Sequence, residues 1–218
     1  MTLKGSFFSL VLFITGNSQA SHPFESLPSN TITSLSSIQS VKQKMLKADK
    51  KCEPYLNELD IVKVTYFGFD NKKHDGILLV HHELSQDVLE IFSILYKNKF
   101  PIEKVYPAGN HPNVTLSYNC REVAMQPGRR SQHSYGRAID INPLQNPYVK
   151  GKTVIPEGSD HNIDRNLKLK GQINHQSLVY QLFAERGWDW GGNWYDVADY
   201  QHFEKRANGE KRNPFGYD

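Results

Sequence analysis

The sequence predicts one α+β domain, a small antiparallel sheet flanked by helices. Residues 61–69 and 74–82 are apolar, β-branched runs separated by a short polar turn, which is typical of a β-hairpin. Two amphipathic helical patterns occur at separate places further along the chain, and strands do not alternate regularly with helices. This arrangement favours an α+β domain over a parallel α/β fold. A length of 218 residues with 38% hydrophobic residues suits a single domain.

The first helix is predicted from the spacing of its apolar residues. Val88, Ile91, Phe92 and Leu95 recur at i, i+3, i+4 and i+7, the pattern of a buried helical stripe. Ser85 precedes them and is a candidate N-cap.

The second helix is predicted from Leu178, Val179, Leu182 and Phe183, which follow the same helical pattern. Gly187 is well placed as its C′ residue.

Short strands are predicted over residues 102–106, 114–118 and 138–141. Residues 142–171 contain several glycines, two Asn-Pro steps and little apolar pattern. A structureless stretch of this length is typical of a lid or binding loop.

The N-terminal segment predicts export. Lys4, the apolar run after it and the small residues ending at Ala20 are typical of a secretory signal peptide over residues 1–20. The apolar run is too short to span a bilayer, so we expect no stable membrane insertion. Residues 21–40 are predicted to be a flexible leader and residues 41–218 the folded domain, periplasmic or extracellular.

The charge of the chain argues against nucleic-acid binding. The net charge is only +3, which is too mild for a typical nucleic-acid binder. The lysine-rich residues 41–52 are interpreted as the solvated face of a short helix, with binding of an anionic polymer as the alternative. The sequence does not indicate an oligomeric state.

Two of the nine histidines come with a carboxylate at a useful spacing. His133 and Asp140 lie on either side of Gly136, which permits a tight reversal, and Asp199 precedes His202 by three residues. Two histidines and one carboxylate can hold a catalytic Zn²⁺ with one position open, and the second carboxylate is then a candidate base. The spacing permits this site without requiring it: Asp140 as a turn carboxylate and His202 as an ordinary paired histidine are the alternatives.

The remaining histidines are given no metal-binding role. The segment from His82 to Gln86 misses the His-Glu-x-x-His zinc motif because Gln86 stands in place of the second histidine. His81 has no partner at an informative spacing.

Two motifs carry a resemblance to a known family. They are Ser131-x-His133-x-x-Gly136-x-Ala138-x-Asp140 and Asp199-x-x-His202-Phe203, with Trp190-Gly-Gly-x-Trp194 before the second. Together they resemble the VanY-like zinc D-alanyl-D-alanine carboxypeptidases, a family that includes L-alanyl-D-glutamate peptidases. The resemblance covers roughly residues 61–203 and implies the fold shared with the hedgehog signalling domain.

The resemblance implies a role for each motif residue. It implies that His133, Asp140 and His202 bind Zn²⁺ and that Asp199 is the catalytic base. It also implies an arginine upstream of the first motif that contacts the substrate, for which Arg121 is best placed.

Other substrate contacts are less narrowly defined. Arg129, Arg130 and Arg137 are alternatives to Arg121. The residues assigned to substrate binding are Ser131, Tyr135 and Trp190. For Ser131 the alternative is capping of a turn, and for the three tryptophans it is packing in the core.

Cys52 and Cys120 are the only cysteines. In an oxidising compartment they are candidates for a disulfide. The alternatives are unpaired thiols or Cys120 as a fourth zinc ligand, which would close the position that catalysis needs.

The implied function is zinc-dependent hydrolysis of peptide bonds in peptidoglycan stem peptides, of D-Ala-D-Ala carboxypeptidase or L-Ala-D-Glu endopeptidase type. The alternative is a non-catalytic zinc-containing module that binds the cell wall or a protein. Asp199 favours catalysis, because a binding module has no use for a base beside the metal.

Overall fold

The computed structural model describes residues 28–37, 50–107, 112–123, 126–213 and 215. The predicted signal peptide lies outside these residues, as do half of the predicted leader and most of the lysine-rich helix. Within the part described, no helix is both long and apolar enough to cross a bilayer.

The largest sheet has four strands. They are β1 (Thr31–Ser34), β2 (Leu59–Gly68), β3 (Lys73–His81) and β4 (Pro101–Ile102). β2 and β3 form the predicted hairpin, with Leu59 opposite His81 and Phe67 opposite Lys73. β1 extends the sheet antiparallel to β2, whereas β4 pairs parallel to β2. The sheet was predicted to be antiparallel, and it is so except for β4.

The first helix, α1 (Ser85–Lys97), packs on β2. Its buried apolar residues are the four predicted from periodicity: Val88, Ile91, Phe92 and Leu95. The predicted N-cap was wrong, because Ser85 is the first helical residue and Leu84 occupies the cap position. The hydroxyl of Ser85 instead donates to the carbonyl of His81, which joins the helix to the end of β3.

Three strands lie between β4 and the second helix: β5 (Ala138–Asp140), β6 (Tyr148–Lys150) and β7 (Thr153–Ile155). After that helix, β8 (Asp189–Trp190) begins the C-terminal part. The second helix, α2 (Leu178–Glu185), packs on α1. Ser177 caps α2 by accepting from the amide of Tyr180, and Gly187 follows the helix as predicted.

The last two strands are β9 (Ala198–Asp199) and β10 (His202–Glu204). They belong to two small sheets, one ordered β5-β10-β8 and the other β7-β6-β9. The prediction that residues 142–171 are structureless was wrong, because they contain the β6–β7 hairpin and two short 3-10 helices. The strands are only three residues long, too short to show a pattern in sequence.

The predicted strands over residues 102–106 and 114–118 are shorter than expected. In the first segment only Ile102, with the preceding Pro101, forms a strand. The second segment forms no strand but makes isolated bridges, one between Thr115 and Val105 of the first segment and one between Leu116 and Asp140. These bridges still place residues 114–118 beside β5. The mixture of helices and small sheets is consistent with the predicted single α+β domain.

Cys52 and Cys120 form a disulfide. It joins the 3-10 helix Lys50–Glu58 to the segment that precedes the first motif. Cys120 as a zinc ligand is therefore wrong.

Candidate metal centre and active site

Three side chains from separate parts of the chain form a site capable of binding a metal. The ligand atoms of His133, Asp140 and His202 all lie within 4.8 Å of one another. Asp140 ends β5 and His202 begins β10, and the two are direct partners in the antiparallel register. Directly opposed residues have their side chains on the same face of a sheet, so the register itself brings the two together.

His133 reaches the site from the 3-10 turn Gln132–Tyr135. Ser131 starts this turn by accepting from the amide of His133, and Gly136 ends it with a φ of 65°. A Cβ at Gly136 would also lie 2.8 Å from the amide nitrogen of His81 on β3. The glycine therefore serves both the reversal and the close approach to the sheet.

The hydrogen bonds of His133 determine which nitrogen faces the site. Its Nδ1 lies 2.6 Å from the carbonyl oxygen of Ser117. Since a carbonyl only accepts, Nδ1 carries the proton and Nε2 keeps its lone pair. That Nε2 lies 3.2 Å from Oδ2 of Asp140.

His202 presents its opposite nitrogen. Its Nε2 lies 3.1 Å from Oε2 of Glu204, while its Nδ1 lies 3.0 Å from Oδ1 of Asp140 and 3.1 Å from Nε2 of His133. Two imidazole nitrogens and one carboxylate thus converge on one point. This set of N, N and O donors fits Zn²⁺ with a further position open.

The electrostatics of Asp140 and His202 support one another. Burial disfavours the charged form of Asp140, but the nearby His133 and then His202 outweigh it and hold the pKa of Asp140 well below its usual range. Burial also disfavours the charged form of His202, yet hydrogen bonds to Asp140 and Glu204 raise its pKa well above the usual value. Binding of a metal here would therefore displace a proton from His202.

Asp199 ends β9, three residues before β10 begins at His202. Burial raises the pKa of its carboxyl to about 6, against the opposing charge of His202. The side-chain amide of Gln201 donates to its Oδ1 at 3.2 Å. A carboxylate with a pKa near neutrality is suited to exchanging protons as a general base.

Gly191, the first of the two glycines between Trp190 and Trp194, makes room for Asp199. A Cβ at Gly191 would lie 2.5 Å from the carbonyl oxygen of Asp199 and 2.8 Å from its Cβ. The Trp190-Gly-Gly-x-Trp194 motif therefore packs a turn against the backbone of the candidate base.

Comparison with known proteins agrees with this geometry. Residues 125–205 match the family model of D-alanyl-D-alanine carboxypeptidase. The matched region holds both motifs and all four residues of the candidate centre. The match supports a peptidase, and does not determine the VanY-like branch or the bond cut. No curated protein and no solved structure gives a significant match to the chain.

Arg121 lies next to the turn that carries His133. Its backbone is held against the metal-binding turn, because its carbonyl accepts from the amide of Ser131 at 3.1 Å and from the hydroxyl of Ser134 at 2.7 Å. Its side chain is exposed. The backbone of Arg121 is therefore fixed beside the turn that carries His133, and its guanidinium extends from there into solvent.

Two of the alternative arginines have structural partners. Nη1 of Arg130 lies 3.8 Å from Sγ of Cys52 and 3.9 Å from Sγ of Cys120, over the disulfide. The buried Arg137 pairs with Glu83. These contacts favour Arg121 over both.

The three residues assigned to substrate binding occupy different positions. Ser131 is buried and caps the turn, which favours its capping role. Tyr135 is partly buried, with its ring edge-on to Tyr55 at 4.6 Å. Trp190 is only 2% exposed and its indole donates to the carbonyl of Tyr200, which favours packing over the predicted contact with substrate.

The other tryptophans are buried as well. Trp188 packs edge-on against Phe183 in the core. Trp194 lies against the ring of His202, with centroids 5.3 Å apart. The tryptophans thus pack in the core and, through Trp194, against the candidate metal ligand His202.

A second group of ligand-type side chains was not expected from sequence spacing. Glu58, His81 and His82 also have ligand atoms within 4.8 Å of one another. However, Nη2 of Arg137 lies 3.2 and 3.3 Å from the two ring nitrogens of His81. A guanidinium in that position repels a cation, so this group does not support a second metal site.

Proposed function

We propose that this protein is an exported zinc metallopeptidase that hydrolyses peptide bonds in peptidoglycan stem peptides. The observation that carries the proposal is the convergence of His133, Asp140 and His202, together with Asp199, whose carboxyl interacts electrostatically with all three, inside the region that matches the carboxypeptidase family. The apolar run and cleavage pattern over residues 1–20 support export.

The residues of the chain have distinct roles in the proposed reaction. His133, Asp140 and His202 would hold Zn²⁺, which would supply Lewis-acid polarisation of the scissile carbonyl and acidification of water. Asp199 takes the proton from the attacking water and delivers it to the leaving amine. The exposed guanidinium of Arg121 holds a substrate carboxylate or carbonyl oxygen.

The β6–β7 hairpin borders the base and is the proposed determinant of substrate choice. Tyr148 on β6 is the direct partner of Asp199 on β9, so residues of this hairpin flank any peptide that reaches the base. A free D-Ala-D-Ala terminus and an internal L-Ala-D-Glu bond differ in whether peptide continues beyond the scissile bond. The hairpin is the element placed to read that difference.

Digestion of muropeptides tests the function and identifies the bond. The purified protein is incubated with muropeptides of defined stem length, then after metal removal by chelator, then after Zn²⁺ is restored, with products identified by mass spectrometry. We expect loss of D-Ala or cleavage after L-Ala, abolished by the chelator and recovered with Zn²⁺. Full activity after complete metal removal would overturn the proposal. Muropeptide binding without cleavage by the zinc-loaded protein would favour the non-catalytic alternative.

A further inference from the structure

Glu204 is a carboxylate buried directly behind His202. The two residues are two apart on β10, so their side chains lie on the same face, while Phe203 between them stacks on Phe183 in the core. Glu204 is only 2% exposed. A buried carboxylate is costly unless its oxygens are hydrogen-bonded.

Both carboxylate oxygens of Glu204 have a partner. Oε2 accepts from Nε2 of His202 at 3.1 Å, and Oε1 accepts from Nε of Arg206 at 2.8 Å. Arg206 also compensates the negative charge. The carboxylate is thus fixed in one orientation, with one oxygen directed at the imidazole.

This contact determines which nitrogen of His202 is available to a metal. An imidazole binds a cation through the nitrogen without a proton, so His202 can use Nδ1 only if Nε2 carries the proton. A carboxylate that accepts from Nε2 selects this tautomer and holds the plane of the ring. His133 is held differently, because its outer nitrogen donates to the neutral carbonyl of Ser117.

We infer that Glu204 is a positioning residue of the metal centre, which holds His202 in the tautomer and orientation that direct Nδ1 at the ion. The inference rests on the proposed metal centre and adds a residue outside the set of ligands and base. Glu204 contacts neither the ion nor the substrate. Its role is to set how strongly His202 binds the metal.

Metal affinity tests this role without relying on activity. Zn²⁺ affinity is measured by competition with a chromophoric chelator for the wild type, Glu204→Gln and Glu204→Ala, and the absorption spectrum of bound Co²⁺ reports ligand geometry. Removing such an outer partner lowers metal affinity by about 10- to 100-fold in metalloproteins. We expect this loss for Glu204→Ala, a smaller loss for Glu204→Gln, which keeps an acceptor without the charge, and a shifted Co²⁺ spectrum for both.

Asp189→Asn is the matched control. Asp189 is a buried carboxylate on β8, directly opposite Glu204, and it accepts from Nε1 of Trp194 and from the amide of Arg212. Its substitution removes a buried charge from the same sheet without touching the outer nitrogen of His202. We expect its Zn²⁺ affinity to stay within about threefold of wild type, well under the loss from an outer partner.

The outcomes separate the inference from the proposed function. A wild-type protein that binds no metal would overturn the proposed function itself. Zn²⁺ binding by wild type with unchanged affinity in folded Glu204→Gln, or an equal loss in Asp189→Asn, would overturn the positioning role alone. Circular dichroism establishes folding, and if Glu204→Ala does not fold, the near-isosteric Glu204→Gln decides.

Discussion

At the scale of single residues, Asp199 illustrates how a site suited to chemistry weakens the fold. Burial raises the pKa of its carboxyl to about 6 from an ordinary value of 3.8, so the folded protein binds the proton more tightly than the unfolded chain. The group therefore favours folding while it is neutral, and this contribution is lost as the pH rises through about 6.

Substitution of Asp199 by Asn should consequently stabilise the metal-free protein. We expect the free energy of unfolding at pH 8 to rise by about 2 kcal/mol, because the buried charge is removed, with little change at pH 3.5, where Asp199 is already neutral. Urea denaturation of both proteins at the two pH values measures the difference. An equal change at both would contradict a raised pKa.

Loss of the base should separate chemistry from metal binding. Asp199→Ala keeps all three proposed ligands, so we expect a full complement of zinc by elemental analysis. Turnover of muropeptides should fall by about 10²-fold or more, the range typical of a removed general base. A variant that retains wild-type turnover would show that another group takes the proton.

Glu204 and Asp199 also show what spacing along a sequence could and could not predict. The ligand set was predicted from motifs, but a separation of three between Asp199 and His202 could not fix their relative orientation. In the structure the two lie on different strands of different sheets. Glu204 was missed, although a carboxylate two residues from a histidine shares its face whenever the segment is a strand.

At the scale of elements, the turn Gly191–Asn193 supports β9 by close approach of its backbone. Gly191→Ala would place a Cβ 2.5 Å from the carbonyl oxygen of Asp199, so that backbone must shift. We expect a loss of about 1–3 kcal/mol in stability and a loss of turnover, because the base moves with its strand. Denaturation and steady-state kinetics measure both.

Gly209→Ala serves as the control for that variant. Gly209 has a positive φ of 72°, yet a Cβ there would meet no atom within 4 Å. We expect about 1 kcal/mol of destabilisation from backbone strain with turnover unchanged. Equal loss of turnover in both variants would indicate a general effect of lower stability.

The length of each helix or strand explains whether it could be predicted from the sequence. The β2–β3 hairpin and both helices are long enough for their apolar period to be evident, and they were found where expected. The β6–β7 hairpin was not, because strands of three residues show no period and one partner of β6 lies some fifty positions away on β9. The sequence predicted the burial of the tryptophans only as one of two alternatives, since large aromatics serve cores and grooves equally.

At the scale of the whole molecule, the disulfide connects the N-terminal half to the segment that leads into the metal-binding turn. Cys52 and Cys120 are separated by 68 positions, and closing a loop of that size stabilises a protein by about 4 kcal/mol in the chain-entropy model. We expect Cys52→Ser combined with Cys120→Ser to lower the free energy of unfolding by about 2–4 kcal/mol. Denaturation with and without a reductant measures this, and a reductant should leave the double variant unchanged.

The contact between His133 and His202, beside the paired strands β5 and β10, closes a second loop of the chain of similar length. His133 and His202 are 69 positions apart and begin after Cys120, so the two closures follow one another along the chain without overlapping. The first loop is closed by a covalent bond, and the second by side chains that a cation would hold together. The chain thus forms two consecutive closed loops, or rings. A reductant would open the first by breaking the disulfide, and removal of a bound metal would weaken the second. The second ring contains the three proposed metal ligands and Asp199, whereas Arg121 lies before the ring begins and Glu204 just beyond its closure.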